Sequence, residues 1–575
     1  MAHNEETLTG SKPDMTSGLW IILVVWFIVN LAQAALTGLM DDEALFWLYG
    51  EHLGWGYYEH PPMVALLIRA GYTLLHNETG VRIFFVLCST FSVFLIIRLS
   101  ETKKPLLFAA LLFSTLIANA GGFLAAPDDP LLLFTALFFL IYQRYLEKDD
   151  TLSALLLGLT MACLLYSKYN GILVILFTIL SNFGLFKRKT FYLAIAAGVV
   201  LFLPHMIWLY MNDFPTIRYH LVERNIHEHQ YLTYFIEYIA GQFGIYGPLT
   251  AIFFFWLTFS YKTGNPFDRA LKFTAIGILL FFLLYSFRGK IEPNWTLPAF
   301  IPLMILTIRS LEKRKRLHPV FYTLAAISLI LIIGFRVYII HDFLHLPRKL
   351  VNLTELQRKA DWANAIAEKA DGHPVIFFNS YQNASKYIFY TGQPAFNICD
   401  YDSHVTQFNY WEELIREFQG QTVMIVDHDY WRFIPDKQVL KLPSGDSLMF
   451  TFVTDFSSYT TIPLVIPTDP LRFPSGKEIA LPVRVLNPGD QSLRFDRNPD
   501  QPTFLVYSIH QGEESMVREK QGPEITYIEV PASGYDTVIH IITPEKPGQY
   551  EFYISLKTGW LPASQNGKRY RMDIF

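Results

Sequence analysis

The chain has 575 residues, of which 51% are hydrophobic, 16% aromatic and only 17% charged, a balance too apolar for a wholly soluble protein of this length. A formal net charge of -4 argues against a nucleic-acid partner. Three cysteines, Cys88 and Cys163 in apolar runs and Cys399 in the polar half, exclude a disulfide framework and a CxxC-type zinc site.

The first apolar run, 19–38, has about the 20 residues needed to span a bilayer. Its Ala32-Gln33-Ala34 mimics a signal-peptidase site, but Glu5, Glu6 and Asp14 against Lys12 do not make a basic leader, so a retained helix is expected. Asp41-Asp42-Glu43 follows directly. Ionised groups beside hydrocarbon are costly, so a carboxylate cluster there asks for a function. Segments 42–53 and 62–76 read as interfacial helices, the second with proline in its first turn and too short to span. Further apolar runs at 80–99, 105–119, 130–146, 152–167, 170–186, 191–210, 243–260, 270–287, 296–310 and 319–340 bring the expectation to about eleven transmembrane helices.

With the N-terminus in the cytoplasm, the dense basic clusters Lys103-Lys104, Lys187-Arg188-Lys189 and Lys313-Arg314-Lys315-Arg316 fall inside, as the positive-inside rule requires. The opposite loops, rich in Asp, Glu, His, Trp and Tyr, then share the outer face, and an odd number of spans puts the tail there too. In that tail 353–370 reads as a helix, 374–378 as a strand, 380–390 as a helix and 422–426 as a strand, a small α/β unit. From 447 short alternating strands split by Pro, Gly, Asn and Asp suggest an immunoglobulin-like β-sandwich. The expected domains are 1–345 in the membrane, and 346–446 and 447–575 outside the cytoplasm.

Asp42 reads first as a helix N-cap. Held ionised at a helix N-terminus, it also suits a general base for a poorly acidic hydroxyl. Glu59-His60, between Tyr57-Tyr58 and Pro61-Pro62, reads as a rigid turn or as a phosphate or metal contact, with His220, His227 or His229 as further ligands. Asp128-Asp129 caps a span. Arg218, Arg224, Lys168, Arg288 and Lys290 are outer-side cations that either anchor helix ends or meet a phosphate. Lys290, Glu292, Asn294 and Trp295 cluster at a span entrance, as an interface anchor or a binding loop. No Walker, dinucleotide or GxSxG loop stands in the right context, so no nucleotide cofactor is expected.

Taken together, Asp42-Glu43, Gly56-Tyr57-Tyr58-Glu59-His60-Pro61-Pro62, Ala126-Pro127-Asp128, Tyr166-Ser167-Lys168-Tyr169 and Gly289-Lys290-Ile291-Glu292-Pro293-Asn294-Trp295 form a pattern. In order and spacing it resembles bacterial membrane glycosyltransferases of the C-type fold. These are relatives of the dolichyl-phosphate-mannose protein mannosyltransferases and of the lipid A aminoarabinose transferase. The resemblance covers roughly residues 15 to 400. It implies a multi-pass inner-membrane enzyme that moves a sugar from a polyprenyl-phosphate carrier to an acceptor hydroxyl on a glycan, lipid or protein, with inversion, outside the cytoplasm. It implies Asp42 as the catalytic aspartate, Glu43 as its support, Asp128 as the second acidic-loop residue, and Tyr169 with the Lys290 loop near the donor. Glu59 and His220 match positions that hold a divalent metal in the aminoarabinose branch. His60 stands where that branch has a phosphate-binding lysine, which shifts that contact toward Arg224, Lys168 or Lys290. The β-rich tail lies outside the usual family pattern. The rival reading, a transporter or flippase of lipid-linked saccharides, calls for mid-membrane ionisable groups and repeat symmetry between halves, and the sequence shows neither.

Overall fold

The computed structural model describes residues 15–217, 231–344, 356, 360–401, 403, 405–427, 435–443, 445–498, 500–512 and 514–575. The chain forms two compact units, one of Met1–Gly38 with Tyr49–Gln357 and one of Leu39–Leu48 with Arg358–Phe575.

The first unit is helical. It begins with α1 (Ser17–Leu36), α2 (Asp41–Glu51, whose first residues cluster with the second unit), α3 (Met63–Leu74) and α4 (Glu78–Ser100). Then come α5 (Pro105–Phe113), α6 (Leu116–Gly121), α7 (Asp128–Glu147), α8 (Thr151–Ser167), α9 (Gly171–Ser181) and α10 (Lys189–Met211). It closes with α11 (Tyr231–Ile245), α12 (Ala251–Phe259), α13 (Pro266–Tyr285), α14 (Phe300–Lys313) and α15 (His318–Ile340). Several starts are fixed by local chemistry. The side chains of Asn77, Asp150 and Asn265 accept from the backbone N–H groups of Gly80, Ser153 and Asp268, satisfying donors that a helix start leaves open.

Four segments are long and apolar enough to cross a membrane by length and composition: Ser17–Leu36, Glu78–Ser100, Lys189–Met211 and Lys315–Ile340. The expectation of about eleven transmembrane helices is therefore corrected to four clear spans among the described residues. The apolar runs are broken or covered. The 105–119 run divides into the nine-residue α5 and the six-residue α6, with Ser114 and Thr115 between them. Helices α8, α9 and α14 have 17, 11 and 14 residues, short of the ~20 that bridge a hydrocarbon core. Nearly all of α14 is buried by its neighbours, so its apolar residues serve a protein core. Helices α7 and α13 reach 20 residues but carry charges in their first turns. The orientation drawn from an odd span count falls with that count.

Close packing holds this unit together. Helices α8 and α10 meet at Gly158 and Gly198, where a Cβ on Gly158 would lie 2.4 Å from the Ala194 carbonyl oxygen. The buried Arg82 of α4 donates to the carbonyls of Ala34 and Thr37 at 3.0 Å and of Gly38 at 2.6 Å, satisfying the free end of α1 where the chain leaves for the acidic segment.

The second unit contains α16 (Asp361–Ala370), α17 (Tyr381–Thr391) and α18 (Glu412–Phe418) around a five-stranded sheet. In it β1 (Val375–Phe378) pairs in parallel with β2 (Ala395–Ile398) and β3 (Val423–Asp427). An antiparallel edge of β5 (Ser447–Val453) and β4 (Gln438–Lys441) completes it. A second five-stranded sheet has the order β11 (Glu514–Glu524), β10 (Thr503–Gln511), β14 (Gly548–Thr558), β15 (Tyr570–Ile574) and β7 (Leu471–Phe473). A three-stranded sheet of β13 (Tyr535–Ile542), β8 (Glu478–Val485) and β6 (Leu464–Val465) shares its core: Leu481, Val483, Ile539 and Ile541 pack with Leu505 and Phe552.

This arrangement corrects the immunoglobulin-like reading. The sheet is open, and β7 joins β15 in parallel, whereas an immunoglobulin sheet is built from antiparallel strands. Alternation marks a strand and its buried face but does not name its partner.

Candidate functional site

Within the second unit, α2 begins Asp41-Asp42-Glu43, three carboxylates in one turn at the positive end of the helix. Glu43 is buried, and its Oε2 accepts from the Met40 N–H at 2.8 Å, the return half of a capping box. The cap is thus made by Glu43, and Asp42 lies inside the first turn, free of the N-cap role expected for it. The buried Lys386 of α17 places its Nζ 2.5 Å from Asp41 Oδ1. The Tyr381 hydroxyl donates to Asp42 Oδ1 at 3.1 Å. Among the described residues Asp42 Oδ2 takes no hydrogen bond, and the residue is exposed. Loss of surrounding bulk water still raises the Asp42 pKa above its ordinary value, and the negative charges of Asp41 and Glu43 push the same way. The Tyr381 hydrogen bond and the Lys386 charge oppose the rise.

In the first unit three separate motifs converge on Asp128, the first residue of α7. Lys168, at the end of α8, donates to both Asp128 oxygens, at 2.8 and 3.0 Å. Asn294 donates to Oδ2 at 3.2 Å, from the 3-10 turn Pro293–Ala299. Asp128 is 8% and Lys168 9% exposed, so this is a buried ion pair with a neutral third partner. Asn170 donates to the Trp295 carbonyl at 3.2 Å, tying the Lys168 motif to the same loop.

The Tyr57-to-Pro61 segment is a tight turn. The Tyr57 N–H donates to the His60 carbonyl at 3.1 Å, and its hydroxyl donates to the Tyr49 carbonyl at 2.9 Å. Glu59 and His60 are half-buried there. His205 of α10 fastens the preceding residues. Its Nδ1 lies 2.7 Å from the Trp55 carbonyl and its Nε2 2.8 Å from the Tyr169 hydroxyl. A donating Nδ1–H leaves Nε2 to accept from Tyr169, so the tautomer follows from the partners. Gly56 is required at this point, since a Cβ would lie 2.4 Å from Trp208 Cε3.

Of the residues singled out from sequence, Asp128, Lys168 and Asn294 come together, with Trp295 beside them. Tyr169 spends its hydroxyl on His205. Lys290 is exposed, with no hydrogen bond or ion pair among the described residues, and Glu292 is half-buried. His220 and Arg224 lie outside the described residues, as do Arg218, His227 and His229. Among the described residues no three His, Cys, Asp or Glu side chains converge as a metal site. Sequence reading missed His205, Tyr381 and Lys386. A histidine in an otherwise apolar spanning helix is a signal in itself, whereas Tyr381 and Lys386 carry none.

Residues 59–208 match the family described as dolichyl-phosphate-mannose-protein mannosyltransferase, a stretch that holds Glu59, His60, Asp128, Lys168, Tyr169 and His205. The chain is 26% identical over 313 residues to the lipid A galacturonosyltransferase RgtD of Rhizobium johnstonii. That alignment takes in 51% of this chain and 65% of RgtD, so the chain spans a little under two thirds of that relative. Among solved structures it superposes on ArnT from Cupriavidus metallidurans with a TM-score of 0.56 at 13% identity, covering 75% of this chain and 96% of ArnT. The chain is a polytopic helical membrane protein whose fold is like that of ArnT, and its residues 59–208 match the mannosyltransferase family model.

Proposed function

We propose that the protein transfers a sugar from a polyprenyl-phosphate carrier to an acceptor hydroxyl at the outer face of the cytoplasmic membrane. Asp42 is the general base. It takes the acceptor proton as the hydroxyl oxygen forms a bond to the anomeric carbon. The bond from that carbon to the carrier phosphate oxygen breaks, and its electron pair leaves with the polyprenyl phosphate. A single displacement of this kind inverts the anomeric centre.

The observation that carries this reading is the state of Asp42. One oxygen is held by Tyr381, the other is free of described partners, and the pKa is lifted toward the range useful for a base. Developing charge on the leaving phosphate needs a cation. Lys168 is committed to Asp128, so Lys290, which is exposed, and Arg224 are the groups we assign to it. The likeness to RgtD supports a lipid-borne acceptor.

The test is sugar transfer by the purified protein in lipid. It is offered a panel of polyprenyl-phosphate sugars with nucleotide sugars as controls, and lipid A beside a hydroxyl-bearing peptide as acceptor. Turnover with a lipid-phosphate donor alone is the expected result. Turnover with a nucleotide sugar, or movement of the lipid across the bilayer without transfer, overturns it.

A further inference from the structure

Helix α17 meets the acidic segment at four positions. Tyr381 meets Asp42, Lys386 meets Asp41, the Tyr390 hydroxyl accepts from the Leu39 N–H at 3.1 Å, and the Phe389 ring stands edge-on to Trp47 at 5.1 Å. At about 100° per residue Tyr381 and Tyr390 stand roughly 180° apart, with Phe389 and Lys386 between them, so about half of the helix circumference meets the segment.

The start of that helix is fixed from several sides. Asn379 has a φ of 51°, a left-handed conformation that asparagine tolerates better than most residues. It exchanges hydrogen bonds with Asp400: the Asn379 side chain donates to Asp400 Oδ2 at 3.0 Å, and the Asp400 N–H donates to Asn379 Oδ1 at 2.9 Å. The Ser380 N–H donates to Asn397 Oδ1 at 2.8 Å, and its hydroxyl caps α17 at Asn383. Tyr381 is the next residue. A costly backbone conformation held by this many bonds is the kind kept where a side chain must be aimed.

We infer that Tyr381 is a positioning residue for the transfer reaction, holding Asp42 by one oxygen so that the other faces the acceptor, while Lys386 neutralises Asp41. This rests on the reading of Asp42 as the base. The division of labour is chemical. A buried lysine needs a partner, and by pairing with Asp41 it leaves the working negative charge of the turn to Asp42. Tyr381 donates to the ionised form of Asp42 and so favours it.

The titratable groups acting on Asp42 are Asp41 and Glu43 on its own helix and Tyr381 and Lys386 on α17. Removing the Tyr381 hydroxyl withdraws a contact that lowers the Asp42 pKa, so the acid limb of kcat/KM must move to higher pH. A hydrogen bond to a charged group at an exposed position corresponds to a shift of about one pH unit.

The experiment compares pH profiles of Tyr381→Phe and the parent in lipid, with Tyr381→Leu as a second deletion of the hydroxyl. Tyr390→Phe is the control, because it alters a backbone contact made by the same helix to the same segment. The expected result is an upward shift of the limb in both Tyr381 variants, with an unchanged donor KM, and none in Tyr390→Phe. An unmoved limb in a folded Tyr381 variant, or an equal movement in the control, overturns the inference. Asp42→Asn separates the two claims. Transfer retained in that variant removes the base itself, whereas transfer lost there with the Tyr381 limb unmoved refutes only the role given to Tyr381.

Discussion

Lys168→Met tests the buried Asp128 centre. The lysine donates two hydrogen bonds to one carboxylate, at 2.8 and 3.0 Å, and both side chains are about nine-tenths covered. Deleting the ammonium leaves Asp128 with Asn294 at 3.2 Å as its remaining partner among the bonds described here. Breaking a buried pair on one side costs about 3–5 kcal/mol, because a charge is left out of water without its counter-ion. Asp128→Asn strands the ammonium and should cost a similar amount. The double variant Asp128→Asn/Lys168→Met removes both charges and should recover most of the loss, since a buried pair replaced whole is often close to neutral. The resulting coupling is at least about 2 kcal/mol. The assay is the apparent thermal midpoint of all four proteins in one detergent. The first unit has more than 300 residues, for which 1 kcal/mol moves the midpoint by about 1–2 °C, so the single variants should fall by roughly 4 °C or more. A Lys168→Met midpoint equal to the parent, or a double variant no better than the worse single one, refutes the reasoning.

Three further outcomes follow from the geometry. Gly56→Ala puts a methyl 2.4 Å from Trp208 Cε3 and 2.9 Å from His205 Nδ1. It should cost about 1–3 kcal/mol and slow transfer by displacing the Glu59-His60 turn, read by midpoint and turnover together. His205→Phe gives up the contacts to Trp55 and Tyr169 and should destabilise by about 1–3 kcal/mol for a stranded buried partner, with His205→Asn retaining part of that. The raised Asp42 pKa has two consequences. Transfer should fail on acidification at a pH above the ordinary aspartate value, as the base takes up its proton. Because the folded state holds that proton more tightly than the unfolded chain, ionised Asp42 lowers stability at pH 7. Asp42→Asn should therefore melt no lower than the parent there.

The sequence carried the local elements well and their partners poorly. The helices expected at 42–53 and 62–76 are Asp41–Glu51 and Met63–Leu74, and the strands expected at 479–486 and 503–510 are Glu478–Val485 and Thr503–Gln511. Period and turn chemistry decide such elements locally. The span count failed because an apolar run does not say what covers it: α14 is apolar because neighbouring helices bury it. The meeting of Asp128, Lys168 and Asn294 lay in three motifs that could be named separately, but the pairing of Lys168 with Asp128 was not legible. Its sequence context sets Lys168 beside Lys290 and Arg224 as an outer-side cation for a phosphate. Tyr381 and Lys386 were invisible because they act across more than 300 residues of chain, on a segment whose neighbours in sequence are membrane helices.

The most direct measurement is the rate of sugar transfer from a polyprenyl-phosphate donor by Asp42→Asn beside the parent, in the same lipid, with folding checked by thermal midpoint and donor binding measured in parallel. A folded variant that binds donor and transfers nothing is the outcome expected of the base. A folded Asp42→Asn protein that transfers at the parent rate contradicts the mechanism at its centre.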